Sequence, residues 1–126
     1  MSKNNYWLVA AFINTLTALL HLIGGQLELI RPLLDSNLPW QAKTELLGVW
    51  HMVTVFLFAT SIVYWRAGTQ PQNKLEVVAF ISYLYLLFGG IFVACSIYAA
   101  LLAPQFILLI PIGLLGLVGK QKENKK

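Results

Sequence analysis

Four long apolar runs divide the chain, and their length constrains its fold more than any other feature. They cover approximately residues 6–30, 44–65, 75–102 and 104–119. Of the 126 residues, 58% are hydrophobic and only 11% are charged, whereas about a quarter of a soluble domain is charged. A helix that crosses a bilayer needs about 20 mostly apolar residues. We therefore predict an all-α integral membrane protein, a transmembrane four-helix bundle that forms one domain over residues 1–126.

The segments between the runs contain residues that end or begin helices. Pro32 is expected to interrupt the first helix, and Asp35, Ser36 and Asn37 are candidate N-caps for the second. The connection at Pro104 is very short, so the third and fourth helices should be antiparallel neighbours. The first run lacks an A-x-A-like cleavage site, and we expect it to be a retained helix.

Basic residues are distributed unevenly between the two sides of this predicted bundle. Positive charge favours the cytoplasmic side, so we expect both termini in the cytoplasm (N-in/C-in) and location in the cell (inner) membrane. The basic tail, residues 120–126, directly follows a span and is interpreted as a topology signal; no nucleic-acid partner is expected. One side carries Lys3, Arg66, Lys74, Lys120, Lys122, Lys125 and Lys126, and the other carries Arg31 and Lys43.

Polar residues recur on one face of three predicted helices. A helix advances about 100° per residue, which aligns Asn14, Thr17, His21, Gly24, Glu28 and Arg31 in the first helix. Lipid-facing polar groups would lack partners, so we expect these faces to meet inside the bundle. The corresponding sets are Thr44, His51, Thr54, Ser61 and Trp65 in the second helix and Ser82, Tyr85, Gly89 and Ser96 in the third.

Two histidines lie within the predicted spans at similar depth. His21 is roughly 13 Å and His51 roughly 10 Å below the outer helix ends, at 1.5 Å per residue. An ionisable residue inside a span indicates a functional site, although a structural hydrogen-bonded pair is the alternative. We expect His21 and His51 to bind a cofactor in an outward-opening pocket. The expected lining is Asn14, Thr17, Gly24, Gly25, Glu28, Arg31, Trp50, Thr54 and Tyr98.

The spacing of these residues restricts the chemistry of the site. His21 and Glu28 are about 10.5 Å apart along a straight helix, too far to share one metal ion at about 2 Å from each ligand. A protein-only metal site is therefore disfavoured. Haem b fits two axial histidines from two helices, and a quinone fits histidine's capacity for proton exchange near neutral pH. Neither an enzymatic reaction nor a catalytic residue can be assigned.

Two other classes of function are consistent with the sequence. One is a cofactor-free accessory subunit that binds a membrane partner and uses the histidines structurally. The other is a small oligomeric transporter, in which Gly89-Gly90 and Pro111 break helices and the histidines relay protons. The single cysteine, Cys95, is expected to be a small buried hydrophobe.

Overall fold

The computed structural model describes residues 3–71 and 75–125, and these ranges form helices joined by short connections, without a strand. The all-α prediction is confirmed. Three continuous helical stretches, Asn5–Asp35, Trp40–Thr69 and Leu75–Ala99, are long and apolar enough to cross a membrane. The elements are α1 (Asn5–Gly25), a π-helical turn (Gln26–Ile30), α2 (Arg31–Asp35), α3 (Trp40–Thr69), α4 (Leu75–Ala99) and α5 (Phe106–Glu123).

The first helical stretch does not stop near residue 30 as predicted. A π-helical turn, with its wider i→i+5 hydrogen bonding, joins α1 directly to α2 and carries the chain through Pro32 to Asp35. Pro32 lies in the first turn of α2, where a missing N–H is tolerated.

The N-cap prediction for α3 is wrong. This helix begins at Trp40 rather than near residue 44, with Pro39 in the cap position and no side-chain cap. The Ser36 hydroxyl instead donates to the carbonyl of Leu33, 2.6 Å away, at the end of α2. The side chain of Lys43 donates to the Leu34 carbonyl at 2.6 Å, so both of these bonds stabilise the preceding helix end.

The other helix bounds also differ from the expected ones. α3 extends to Thr69, beyond the expected residue 65, and α4 ends at Ala99 rather than near residue 102. Ala100 adopts a left-handed conformation with φ of 51°, which ends α4. α5 continues into the basic tail as far as Glu123. Lys74 and Lys126, which entered the charge comparison above, lie outside the described residues.

Four long helices pack side by side in the order α3–α1–α5–α4. The prediction that the last two helices are neighbours is confirmed, whereas α3 and α4 make few contacts with each other. At one end, which we call the closed end, Trp7 Nε1 donates to the Gly116 carbonyl at 2.9 Å, and Asn4 Nδ2 donates to the Gly119 carbonyl at 2.9 Å. On its other side, Gly116 faces α3 and α4. A Cβ at this position would collide with the Ser82 hydroxyl and lie 2.8 Å from the Tyr64 hydroxyl, so the close packing of α5 against these helices requires glycine.

A hydrogen-bonded cluster joins α1, α3 and α4 at the centre of the molecule. Asn14 is fully buried, and its amide nitrogen donates to Thr60 Oγ1 at 2.9 Å. The Tyr85 hydroxyl donates to Asn14 Oδ1 at 2.7 Å and lies 2.7 Å from Thr60 Oγ1. The Thr60 hydroxyl in turn donates to the Phe56 carbonyl of its own helix, 2.8 Å away. We call these three residues the polar ring.

The other end of the molecule, which contains the 36–39 and 100–105 connections, is loosely packed, and we call it the open end. Here the last turn of α4 is little covered by the rest of the protein, and Ile97 is 77% and Tyr98 94% exposed. Cys95 is exposed as well, and the prediction that it is buried is wrong. Burial is greatest at the closed end and at the polar ring, where Trp7, Tyr64, Tyr85 and Ile112 are fully buried.

The polar ring makes a matched pair of tyrosine substitutions informative. Tyr85→Phe removes one hydroxyl and leaves Asn14 Oδ1 without its donor. We expect a loss of about 1–2 kcal/mol in unfolding free energy, measured as a lower thermal midpoint by circular dichroism. Tyr83 is 61% exposed, so Tyr83→Phe should change stability by less than about 0.5 kcal/mol. Equal midpoints for the two variants would show that the ring adds no stability.

Candidate functional site

His21 is held against Trp50 by two contacts. The two rings stack with their centroids 3.7 Å apart and their planes inclined by 15°. His21 Nε2 lies 3.2 Å from the Trp50 carbonyl, and since a carbonyl only accepts, Nε2 carries the proton. Thr54 Oγ1 donates to the same carbonyl at 3.2 Å. In a neutral imidazole, Nδ1 is therefore the acceptor, and this atom has no protein partner in the ranges 3–71 and 75–125.

The indole of Trp50 fills the space between α3 and the end of α1. A Cβ on Gly25 would collide with this ring, so the absence of a side chain at Gly25 allows the indole to enter. Trp50 Nε1 is buried yet has no hydrogen-bond acceptor in the described part of the chain. Leaving a buried donor unpaired costs about 1–3 kcal/mol. The π-helical turn begins at Gln26, directly after Gly25, and such turns often occur at functional sites.

His51 follows Trp50 in α3 but lies on a different face of the helix. It is exposed and borders an open depression of about 630 Å³. The base of this depression is Phe56, whose ring lies 5.8 Å from Phe88 and 5.9 Å from Tyr85 of α4. We call this depression the α3 cleft; it is lined by Gly48, His51, Met52, Val55 and Phe56.

Some of the residues predicted to line a pocket do lie near His21. Trp50 contacts it directly, and Gly25 and Thr54 contact Trp50. Gly24 is half-buried, and a Cβ added there would meet no atom within 4 Å. Thr17, one turn below His21, is buried and donates to the Ile13 carbonyl at 2.8 Å. Asn14 belongs to the polar ring, deeper in the molecule, where its amide nitrogen also donates to the Leu57 carbonyl at 3.2 Å.

The structure does not bring Glu28, Arg31 or Tyr98 to the histidines. Glu28 and Arg31 are exposed, and no ion pair joins them in the described ranges. The π-helical turn lies between His21 and Arg31, and its wider winding breaks the 100° spacing on which their alignment depended. Tyr98 is 94% exposed and so has almost no protein around it.

The rotation of α3 differs from the one predicted. Its buried face is centred on Leu57, Ser61 and Tyr64, whereas Thr44 and Trp65, which were expected to share a face with His51, are exposed. Sequence reasoning thus missed Thr60 and Tyr64 as interior polar residues. The spacing Leu57, Thr60, Ser61 and Tyr64, at i, i+3, i+4 and i+7, is the signal that indicates this face.

Metal binding finds no further support within residues 3–71 and 75–125, where no group of three or more His, Cys, Asp or Glu side chains could hold an ion. Comparison with known proteins finds no family model, curated protein or solved structure that matches the chain. The candidate site therefore rests on the residues of this chain alone.

The contact between Gly25 and Trp50 can be tested with two neighbouring glycines. Gly25→Ala should displace the indole and break its stacking with His21, at about 1–3 kcal/mol for an overpacked site. A Cβ added at Gly24 would meet no atom within 4 Å, and Gly24→Ala should be neutral or slightly stabilising because alanine favours helix. Thermal unfolding followed by circular dichroism compares the two. A Gly25→Ala protein as stable as Gly24→Ala would contradict the packing described.

Proposed function

We propose that the chain is a multi-pass inner-membrane protein whose four long helices form a transmembrane bundle. Large apolar side chains point outwards along these helices, including Phe12 (71% exposed), Val55 (68%) and Phe80 (64%). A water-soluble monomer rarely exposes such continuous apolar surface, whereas helices suit a bilayer because they satisfy their own backbone groups. The apolar part of α5, residues 106–119, would extend about 21 Å, shorter than the roughly 30 Å hydrocarbon thickness, so Lys120 would extend to the head groups.

The proposed orientation has both termini in the cytoplasm. The closed end carries Arg66, Lys120 and Lys122 together with further basic residues at the termini, as the positive-inside tendency requires. The open end has Arg31 and Lys43, and Lys43 is only 7% exposed because it bonds the Leu34 carbonyl. Positive charge is thus concentrated at the closed end.

Reporter fusions test this orientation directly. A reporter active only in the cytoplasm should be active after Lys126 and inactive when inserted at Asn37, in the 36–39 connection. A reporter active only outside the cytoplasm should give the opposite pattern at both positions. The reverse pattern at both sites would overturn the orientation, and cytoplasmic activity at both would overturn membrane spanning by α1 and α3.

We further propose that the open half binds a small ligand at His21, Trp50 and His51, with a quinone-type redox cofactor as the leading class. The observation that carries this proposal is the buried, unpaired Trp50 Nε1–H stacked beside an oriented His21. An indole N–H can donate to a quinone carbonyl, and the free Nδ1 of His21 can accept from a quinol hydroxyl. A donor and an acceptor on adjacent rings thus suit both redox forms of one ligand.

Haem b ranks second because of the His21 contact. An axial histidine gives a ring-nitrogen lone pair to the iron, but His21 Nε2 carries a proton that it donates to the Trp50 carbonyl. Ligation through Nε2 would require that bond to break and the ring to leave its stacked position. The other ring nitrogen, Nδ1, could ligate iron while Nε2 keeps its proton and its bond to the Trp50 carbonyl.

The cofactor class can be read from the purified protein. In mild detergent we expect a bound quinone, detected by solvent extraction and chromatography, and no Soret band in oxidised or dithionite-reduced spectra. Trp50→Phe keeps an aromatic ring but removes the N–H, and should lower quinone retention about tenfold, equivalent to about 1.4 kcal/mol. Trp65→Phe is the matched control, because Trp65 is exposed at the closed end of α3.

Other results of this experiment would replace the proposal. A Soret band lost in both His21→Ala and His51→Ala would establish bis-histidine haem b. A protein that holds neither quinone nor haem, even after each is supplied, would contradict a redox cofactor. The cofactor-free subunit or transporter, with structural or proton-relaying histidines, would then be the better account.

A further inference from the structure

We infer that the closed end binds the head group of an anionic phospholipid, with the phosphate held between Lys122 of α5 and Tyr6 of α1. The inference rests on the proposed membrane location, but it does not depend on the ligand proposed at His21 and Trp50 in the open half. It assigns a lipid partner to a contact between two helices that the proposed ligand site does not use.

Three separate segments of the chain bring positive charge to the closed end. The backbone N–H of Asn4 donates to the Gly68 carbonyl at 2.9 Å, and its side chain donates to the Gly119 carbonyl at 2.9 Å. The start of α1 therefore joins the ends of α3 and α5. Basic residues lie within three positions of these three residues: Lys3 before α1, Arg66 in α3, and Lys120 and Lys122 in α5.

Part of this charge is neutralised by acidic side chains, but the charge of Lys122 is not. Lys120 Nζ lies 3.2 Å from Glu76 Oε1, the one ion pair between described residues. Glu123, the other acidic residue at this end, accepts a hydrogen bond from Asn4 Nδ2 at 3.0 Å. Lys122 is exposed and pairs with no carboxylate in the ranges 3–71 and 75–125. Its ammonium group is therefore available to an anion.

Lys122 lies against an aromatic ring that suits the surface of a membrane. Its Nζ is 4.8 Å from the centroid of the half-buried Tyr6 ring, and this cation–π contact positions the ammonium group. Tyrosine is enriched at the level of the lipid head groups, because its ring is apolar and its hydroxyl is polar. The ammonium and the phenol hydroxyl are both hydrogen-bond donors, so together they can donate to the two non-bridging oxygens of a phosphodiester.

The residues one turn further into the bundle favour a lipid over a soluble phosphate. Val118 of α5 precedes Lys122 by four positions and is 41% exposed, and Val9 of α1 follows Tyr6 by three positions and is 47% exposed. Both helices that meet at the Lys122–Tyr6 contact thus present apolar side chains below it, at the depth of the acyl chains in a bilayer. Basic residues beside a spanning helix attract anionic lipids, and a phospholipid matches both the charge and the apolar surface.

Counting bound lipids tests this inference. The full chain in mild detergent is titrated with phosphatidylglycerol or phosphatidylcholine, and each bound lipid is resolved by native mass spectrometry. We expect the first phosphatidylglycerol to bind about tenfold more tightly than phosphatidylcholine. Lys122→Gln should weaken this first binding about fivefold, the effect expected for one basic residue at an anionic lipid, and Lys122→Arg should retain it. Tyr6→Phe keeps the ring but loses the hydroxyl, and should weaken it about threefold.

A second lysine of the same helix is the matched control. Lys120→Gln removes the same charge two positions away, but Lys120 is already paired with Glu76, so this variant should bind phosphatidylglycerol like the unmodified protein. Glycerol phosphate carries the charged group without acyl chains and should not displace the lipid at the same concentration.

Three results would overturn the inference. Equal binding of the two lipids would show that the head group is not recognised. Equal weakening by Lys120→Gln and Lys122→Gln would mean that the total charge attracts the lipid without a site. Displacement by glycerol phosphate would indicate a site for a soluble anion.

The failure of this inference differs from the failure of the proposed function. If the reporter fusions show the proposed orientation but any of these three results is obtained, the lipid site alone is overturned. If the fusions show that α1 and α3 do not span the membrane, the location on which the inference rests fails, and the inference fails with it. Quinone retention should be the same in Lys122→Gln as in the unmodified protein, and a loss of retention would contradict the independence of the two sites.

Discussion

The polar ring of Asn14, Thr60 and Tyr85 is the interaction on which the rest of the arrangement depends. Asn14 donates to Thr60, and Tyr85 donates to Asn14, so buried polar groups of three helices are paired with one another. Hydrogen bonds in a connected series polarise and strengthen each other in a low-dielectric interior. The ring also fixes the height and rotation of three helices at once, because a shift of one turn would leave buried polar groups unpaired.

The size of the side chains between two helices decides how closely those helices pack on either side of the polar ring. Towards the closed end, glycines let α5 approach α1 and α4 so closely that backbone carbonyls accept bonds from Trp7 and Asn4. α3 and α4 are instead joined by long side chains, through Tyr85 and through the bond between the Tyr64 and Ser82 hydroxyls at 3.0 Å.

Much of the helical organisation could be predicted from the sequence, because it depends on local properties. The length of the apolar runs indicated the long helices, and the short connection at Pro104 indicated which two are neighbours. Periodicity also placed Asn14, Ser82 and Tyr85 on interior faces. It failed for α3, where Thr and Ser residues at mixed spacings of three and four fit more than one rotation. It failed again beyond Gly25, because the π-helical turn follows no regular 100° spacing. The stacking of His21 on Trp50 joins residues 29 positions apart, a contact that no local pattern contains.

The pairing of distant segments at the closed end has a consequence for synthesis of the protein. Asn4 and Gly119 are 115 positions apart, and Trp7 and Gly116 are 109 apart. While a ribosome is still making the chain, α1 and α3 can already associate, but the polar groups of Asn4 and Trp7 must wait for α5 before they find these partners. Contacts between such distant positions form late, since the intervening chain has to be ordered first. Until α5 has been made, Asn4 and Trp7 lack these partners, so the closed end is the last part of the molecule to be completed.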